Sequence, residues 1–401
     1  MITFLSFTIL LLHIAPDHAN LVLQQSKNFD NLCMDGTSSG YYWAQASGTI
    51  ASTPSAKPMQ HPNPSSVWIL HLEGGGWCWS PESCQQRCGT PASPKTSSSL
   101  CSSTTWPTQV SLNGVFNAND PTLQSANKIF VKYCTSDGHM GNTTAHGWRF
   151  RGASVIQNVL TELVEIHGLG SGANNRTDTL LFGGASAGGR GAMVHLDYVR
   201  QMVGTKAAKN ILVRGFLDSP LWMDLPSINP KFPGFNVTTA GVFHLANVSH
   251  TDEKCIQQYS KTNEGWKCLM GQYRMPFVRT PYIISASQND LFQTYEDIGH
   301  PPMSNKDYQY MLHFANVTKT EMLQLNAMNP QAHAVFSWGC FNHAVSMTND
   351  GFNVWKAGES PDVASTMNDA VVEFLWGQGG EGNVVNQWVD RCNGWKCGTG
   401  C

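Results

Sequence analysis

The chain has 401 residues, enough for one large domain with insertions or two ordinary ones. It carries 25 Lys and Arg against 28 Asp and Glu, a formal net charge of −3. With 13% charged residues and no basic block, nothing is available to neutralise phosphates, which excludes nucleic acid as the main partner.

Residues 1–19 begin with a largely apolar stretch from Ile2 to Ile14. It matches the length of a signal-peptide core and is too short to cross a membrane. No later stretch approaches the roughly 20 apolar residues of a transmembrane helix. Behind such a leader the 12 cysteines read as a disulfide framework. Zinc fits poorly: there is no Cys-x2-Cys pair, and Cys84 and Cys88 lack a matching second pair. Spacing suggests Cys255 with Cys268, and Cys392 with Cys397 or Cys401. Sequons at Asn142, Asn175, Asn236, Asn247 and Asn316 suit an extracellular chain.

Residues 31–43 read as a hairpin or irregular segment with turns at Gly36 and Gly40, and 51–66 as a Pro- and Ser-rich surface loop. An apolar strand from Val67 then runs into Gly74, Gly75 and Gly76. Three consecutive glycines leave backbone N–H groups free to approach a ligand, since no Cβ obstructs them. Gly75 and Gly76 are candidate oxyanion donors; Trp77 and Trp79 are candidate walls of an acyl pocket, or plain core. Residues 80–108 look like a disulfide-held excursion. Residues 128–134 form the next strand, and 135–141 the loop at its end. Val155, Ile156, Val159, Leu160, Leu163 and Val164 repeat with helical spacing.

Residues 179–192 hold the sharpest local signal. Leu180, Leu181 and Phe182 form an apolar strand leading into Gly184-Ala185-Ser186-Ala187-Gly188, and Ala192, Leu196, Val199 and Val203 continue with helical spacing. Strand, Gly-x-Ser-x-Gly turn and helix together describe a nucleophile elbow. The serine sits at the tip of a strained turn, and small neighbours let strand and helix approach. The Ala187 N–H then falls where a tetrahedral intermediate develops negative charge. Read without chemistry, the same stretch is a packing or phosphate-binding turn.

Residues 211–217, 282–286 and 334–338 are further strands. Residues 361–376 read as the closing helix, with Ser360 as cap and Gly377 just past its end. Strands alternating with helices imply an α/β fold, a mostly parallel sheet with helices on both faces and disulfide-held loop insertions. No repeat or second core is visible. The expected organisation is a leader at 1–19 and one domain over 20–401, with a Cys-rich tail at about 392–401.

A serine hydroxyl needs a base to take its proton and an acid to orient that base. In α/β hydrolases these follow in the chain order Ser, acid, His. His343 is the final histidine and lies just past the last strand, so it is the candidate base; His300 sits beside prolines and His313 within a helical pattern. Asp290, in the loop after strand 282–286, is the preferred acid, with Asp218 as runner-up and Asp224 and Asp297 read as solvated.

Leu72-Glu73-Gly74-Gly75-Gly76-Trp77-Cys78, Tyr133-Cys134, Gly184 to Gly189 and Cys340-Phe341-Asn342-His343 together resemble the pectin acetylesterase family, which includes the animal Notum carboxylesterases. The resemblance spans about 31–358. It implies an extracellular α/β-hydrolase-type esterase whose triad falls on Ser186, Asp290 and His343, and whose oxyanion hole falls on Gly75, Gly76 and Ala187. The expected reaction is removal of O-acetyl groups from an extracellular polysaccharide such as pectin, through an acyl-enzyme, with no metal or cofactor. The family alternative is a lipid ester on a secreted protein. A non-catalytic glycan-binding scaffold, or a metal-dependent deacetylase lacking clustered ligands, are the weaker readings.

Overall fold

Apolar runs of five to eight residues without Gly or Pro breaks at their starts are what a sheet covered on both faces requires. The computed structural model describes residues 20–27, 31–47, 63–328, 332–377, 386–392, 394 and 397–398. The expected leader at 1–19 and most of the Pro- and Ser-rich stretch lie outside them. Ten strands form one sheet: β1 (Asn20–Gln25), β2 (Gly40–Ala44), β3 (Val67–Leu72), β4 (Gln109–Ser111), β5 (Asn127–Val131), β6 (Asp178–Ala185), β7 (Ile211–Asp218), β8 (Tyr282–Ser287), β9 (His333–Trp338) and β10 (Gln387–Val389). Their spatial order is β10-β9-β8-β7-β6-β3-β5-β2-β1-β4. From β10 to β5 every neighbouring pair is parallel; β2, β1 and β4 add an antiparallel edge.

Alternate residues of each central strand feed two separate cores. Leu180, Phe182, Val213, Leu217 and Ile284 pack on one face with Val155, Ile156 and Val159 of the helix at Gly152–Glu165, and with Phe314 of the helix at Asn305–Met328. Leu181, Phe216, Ile283 and Phe336 pack on the other with Val371 and Phe374 of the helix at Met367–Trp376. Each buried Leu, Ile or Phe contributes roughly 1.5–3 kcal/mol relative to exposure. A strand facing two such layers is mostly apolar, and the few polar residues it carries, such as His71, Ser285 and Ser337, are themselves buried.

The closing helix begins later than its sequence suggests. Ser360 and Pro361 belong to a turn between the short paired strands Lys356–Ala357 and Ser365–Thr366. The helix starts at Met367, where the Thr366 side chain accepts from the Asp369 N–H. Residues 81–88, read within an irregular excursion, form α1 (Pro81–Cys88), closed at its start by a Ser80–Ser83 capping box. Among the described residues, five disulfides are formed: Cys33–Cys134, Cys78–Cys84, Cys88–Cys101, Cys255–Cys268 and Cys392–Cys397.

Register places the site. Leu72 lies beside Gly184, Ala185 beside Asp218, Asp218 beside Ser285, and Ser287 beside Trp338. The carboxyl ends of β3, β6, β7, β8 and β9 therefore share one edge, and the segments leaving them converge there, where ligands bind in open parallel sheets.

Candidate active site

Ser186 sits between β6 and α2 (Ala187–His195), with φ 58° and ψ −122°. A non-glycine residue with positive φ is strained, and here the strain lifts the hydroxyl off the sheet edge. The surrounding glycines are required by contact. A Cβ on Gly188 would lie 2.1 Å from the Leu72 carbonyl oxygen, one on Gly184 would lie 2.4 Å from the Gly188 carbonyl oxygen, and one on Gly189 would lie 2.3 Å from the Asp218 carbonyl oxygen. The Ser186 N–H donates to that same Asp218 carbonyl at 2.9 Å.

The histidine and the preferred acid meet this serine. His343 Nε2 lies 2.8 Å from Ser186 Oγ, and His343 Nδ1 lies 2.7 Å from Asp290 Oδ2. The three side chains form one hydrogen-bonded line, the arrangement in which a serine proton can pass to an imidazole held by a carboxylate. Burial works against a charged imidazole at His343, but the Asp290 carboxylate, through its charge and hydrogen bond, and the nearby Asp218 outweigh it and raise its pKa above the usual histidine value.

Asp218, the runner-up, does not touch the imidazole. Its carboxylate accepts from Ser219 Oγ at 3.0 Å, Ser285 Oγ at 3.1 Å and the Ser346 N–H at 2.8 Å. It therefore ties the β7, β8 and His343 segments together. Asp297, read as solvated, is fully buried and accepts from Tyr310 Oη at 2.8 Å, because the helix at Asn305–Met328 covers it. Asp224 is half-buried.

The glycine turn flanks the serine. A Cβ on Gly74 would come within 3.1 Å of Ser186 Cβ, and Gly75 and Gly76 have φ of 140° and 67°. Both lie in a backbone region that side chains disfavour. Ala187 opens α2, so its N–H is one of the donors a helix start leaves unpaired.

The sequence pattern of the pectinacetylesterase family matches residues 15–401. The chain belongs to the pectinacetylesterase family. It is 26% identical over 332 residues to the palmitoleoyl-protein carboxylesterase NOTUM of Drosophila melanogaster, covering 80% of this chain and 44% of that one. To notum1 of Xenopus laevis it is 27% identical over 329 residues, covering 78% of this chain and 60% of that one, and to human NOTUM 26% over 341 residues, covering 82% and 62%. The chain thus spans about half the length of these relatives. The structure of the Wnt deacylase Notum from Drosophila superposes with a TM-score of 0.77 over 95% of this chain and 99% of that chain, at 24% identity, which establishes the shared fold.

In this member of the family a cavity of about 250 Å3 is lined by Gly75 and Gly76 of the glycine turn and by Phe292. Trp77 and Trp79 line it, together with Phe232, Phe235, Arg87 and Glu296. Phe292 lies 5.3 Å, ring to ring, from His343. Behind these walls Trp222, fully buried with φ 44°, packs edge-on against Trp77 at 4.7 Å and stands 6.2 Å from the His343 ring. The buried Arg190 guanidinium lies 4.1 Å from the Trp77 ring centroid and 4.4 Å from that of Trp222, and none of its nitrogens has a hydrogen-bond partner among the described residues. Sequence reading missed Arg87, Arg190, Trp222, Phe235 and Phe292. Arg190, four residues after Ser186 on a helix, carried the one available signal, since a helical side chain leans back over the preceding turn.

Proposed function

We propose that the protein is a serine carboxylesterase, using Ser186 as nucleophile, His343 as general base and then acid, and Asp290 to hold the imidazole in tautomer and stabilise its charged form. The observation that carries this reading is the unbroken Ser186–His343–Asp290 hydrogen-bond line beside a glycine turn. Ser186 Oγ attacks an ester carbonyl as His343 takes its proton. The oxyanion is held by the Gly75, Gly76 and Ala187 N–H groups, and the leaving alcohol takes the proton back. Water then hydrolyses the acyl-enzyme. Each backbone donor is worth roughly 3 kcal/mol by comparison with single oxyanion-hole deletions. No cofactor or metal enters these steps.

The substrate we favour is an O-acetyl ester on an extracellular polysaccharide such as pectin. Family membership supports it, as does a pocket in which aromatic rings alternate with Arg87 and Glu296, a lining suited to the apolar face and polar rim of a sugar. The Arg190 charge behind Trp77 and Trp222 is a poor neighbour for a long alkyl tail. A second reading, a lipid ester on a secreted protein, is favoured by the five aromatic rings of the pocket and by the names of the curated relatives. Location outside the cell is supported by the disulfides and by sequon asparagines that are all at least partly exposed. Among the described residues no helix is long and apolar enough to cross a membrane.

Hydrolysis of p-nitrophenyl esters from acetyl to palmitoyl, with Ser186→Ala in parallel, tests the reading. Turnover confined to short chains and lost in the variant supports the acetylesterase. Preference for long chains moves the substrate to the lipid ester, and no turnover of any ester removes the catalytic reading.

A further inference from the structure

The glycine turn and the residue before it have their carbonyls held by side chains outside the triad and the oxyanion hole. The Glu73 carbonyl pairs with His139 Nε2 at 2.8 Å. The Gly75 carbonyl accepts from Arg87 Nη2, and the Gly76 carbonyl accepts from Tyr133 Oη at 2.7 Å. Both donors are themselves fixed. Arg87 Nε donates to Ser136 Oγ at 2.8 Å, and Ser136 Oγ donates to the Leu100 carbonyl at 2.7 Å. The Tyr133 hydroxyl accepts the Gly138 N–H at 2.6 Å, and its ring stacks on His139 at 4.5 Å between centroids. Arg87 lies on α1, which Cys78–Cys84 and Cys88–Cys101 staple down.

The consequence follows from peptide geometry. In a trans peptide the C=O and the next residue's N–H point in opposite directions. Holding the Gly75 carbonyl on the Arg87 side turns the Gly76 N–H away from Arg87, and holding the Gly76 carbonyl fixes the following peptide plane, so Gly76 is restrained on both sides. Glycine cannot hold this orientation unaided, because its φ and ψ are the least restricted of any residue. The turn so held adjoins the nucleophile, since a Cβ on Gly74 would lie 3.1 Å from Ser186 Cβ.

We propose that Arg87 and Tyr133 are positioning residues of the oxyanion hole, clamping the Gly75 and Gly76 carbonyls, and so the peptide planes on both sides of Gly76, so that the Gly76 N–H is held in one orientation before substrate arrives. This gives the Tyr133–His139 loop and the disulfide-held excursion one shared purpose. Burial raises the Tyr133 phenol well above its usual pKa, so it remains a hydrogen donor throughout the working range. The proposal rests on the esterase reading.

The test uses the secreted full-length chain: wild type, Tyr133→Phe, Arg87→Ala and Arg87→Lys. Two measurements are made, p-nitrophenyl acetate hydrolysis across pH and the rate at which a fluorophosphonate labels Ser186. Oxyanion interactions exist in the transition state and not in the ground state, so their loss falls on kcat and leaves KM in place. Tyr133→Phe and Arg87→Ala are expected to lower kcat about 10- to 100-fold, below the 10²–10³ of outright donor deletion. In Tyr133→Phe, KM and the pH midpoint of kcat/KM should stay unchanged; Arg87 also lines the cavity, so Arg87→Ala is read on kcat and on the labelling rate, and Arg87→Lys should recover part of that loss. Wild-type kcat in both variants, or a raised KM at unchanged kcat, overturns the clamp. If the wild type hydrolyses no ester, the esterase reading fails by itself and the labelling rates decide: phosphonylation also builds negative charge on oxygen, so slower labelling in the variants sustains the clamp. Equal rates, or no labelling of the wild type, overturn it.

Discussion

Asp290 serves His343 and its own helix with different oxygens: Oδ2 lies 2.7 Å from His343 Nδ1, while Oδ1 accepts the Gln293 N–H at 2.9 Å and caps the helix Leu291–Ile298. The cap fixes the carboxylate rotamer, so the imidazole meets an oxygen already in place. Asp290→Asn keeps a cap acceptor but sets an amide against Nδ1, favouring the wrong imidazole tautomer. Its kcat is expected to fall about 10⁴-fold, as the equivalent change does in the best-studied serine triad. Stability should change by less than about 1 kcal/mol. Asp290→Ala removes the cap as well and should cost a further ~1 kcal/mol. Paired kinetics and thermal unfolding check this; equal stability loss in both variants would show that Oδ1 does not cap.

The raised pKa of His343 makes activity and stability respond oppositely to pH. The base works only when neutral, so kcat/KM should rise with pH through a midpoint above the usual 6.5 of histidine. Stability runs the other way. A histidine whose folded pKa exceeds its unfolded one contributes stability that is fully present below the unfolded pKa and lost as pH rises through the folded value. In Asp290→Asn, burial is left to act with the Asp218 charge alone, and the midpoint of residual activity should move to lower pH. An acid limb that stays in place would show that another group titrates.

Much of the fold was legible because strands covered on both faces are apolar over most of their length, as at Leu180, Leu181 and Phe182, and because the tight elbow requires glycine at 184, 188 and 189. Ser186, His343 and Asp290 could be placed from chain order along the sheet edge. What sequence did not give depends on contacts between distant segments. Trp222 and Arg190 take their meaning from Trp77, and Asp297 from Tyr310, partners that no local pattern announces. The start of the closing helix was misplaced because Ser360-Pro361 carries a start signal that a strand pairing overrides, while Thr366 supplies the working cap.

Elbow glycines should differ sharply from turn glycines. In Gly188→Ala the new methyl meets the Leu72 carbonyl at 2.1 Å, and a backbone oxygen in a central strand cannot step aside. The expected cost is about 3 kcal/mol or more, the upper end of overpacking, with activity lost through displacement of Ser186. Gly204 has φ 78° and open space around its Cβ position, so Gly204→Ala should cost only the left-handed strain of about 1–2 kcal/mol and leave kcat intact. Chemical denaturation of both variants separates the two causes; equal destabilisation would remove the steric account of the elbow.

Asp297 offers a test of burial without catalysis. Burial raises its pKa to about 7, with Glu296 and Asp290 adding repulsion and the Tyr310 hydroxyl opposing it. An acid with a raised folded pKa is penalised once the unfolded chain can ionise and the folded one cannot. Stability from this group therefore falls as pH climbs from about 4 to about 7 and is level beyond, at about 1.4 kcal/mol for each unit of separation. Asp297→Asn keeps an acceptor for Tyr310 and abolishes the titration. Its stability relative to wild type should consequently improve between pH 4.5 and pH 8, by on the order of a few kcal/mol. Urea unfolding at the two pH values reads the difference, and parallel changes in both proteins would mean that Asp297 ionises normally and that the helix over it admits water.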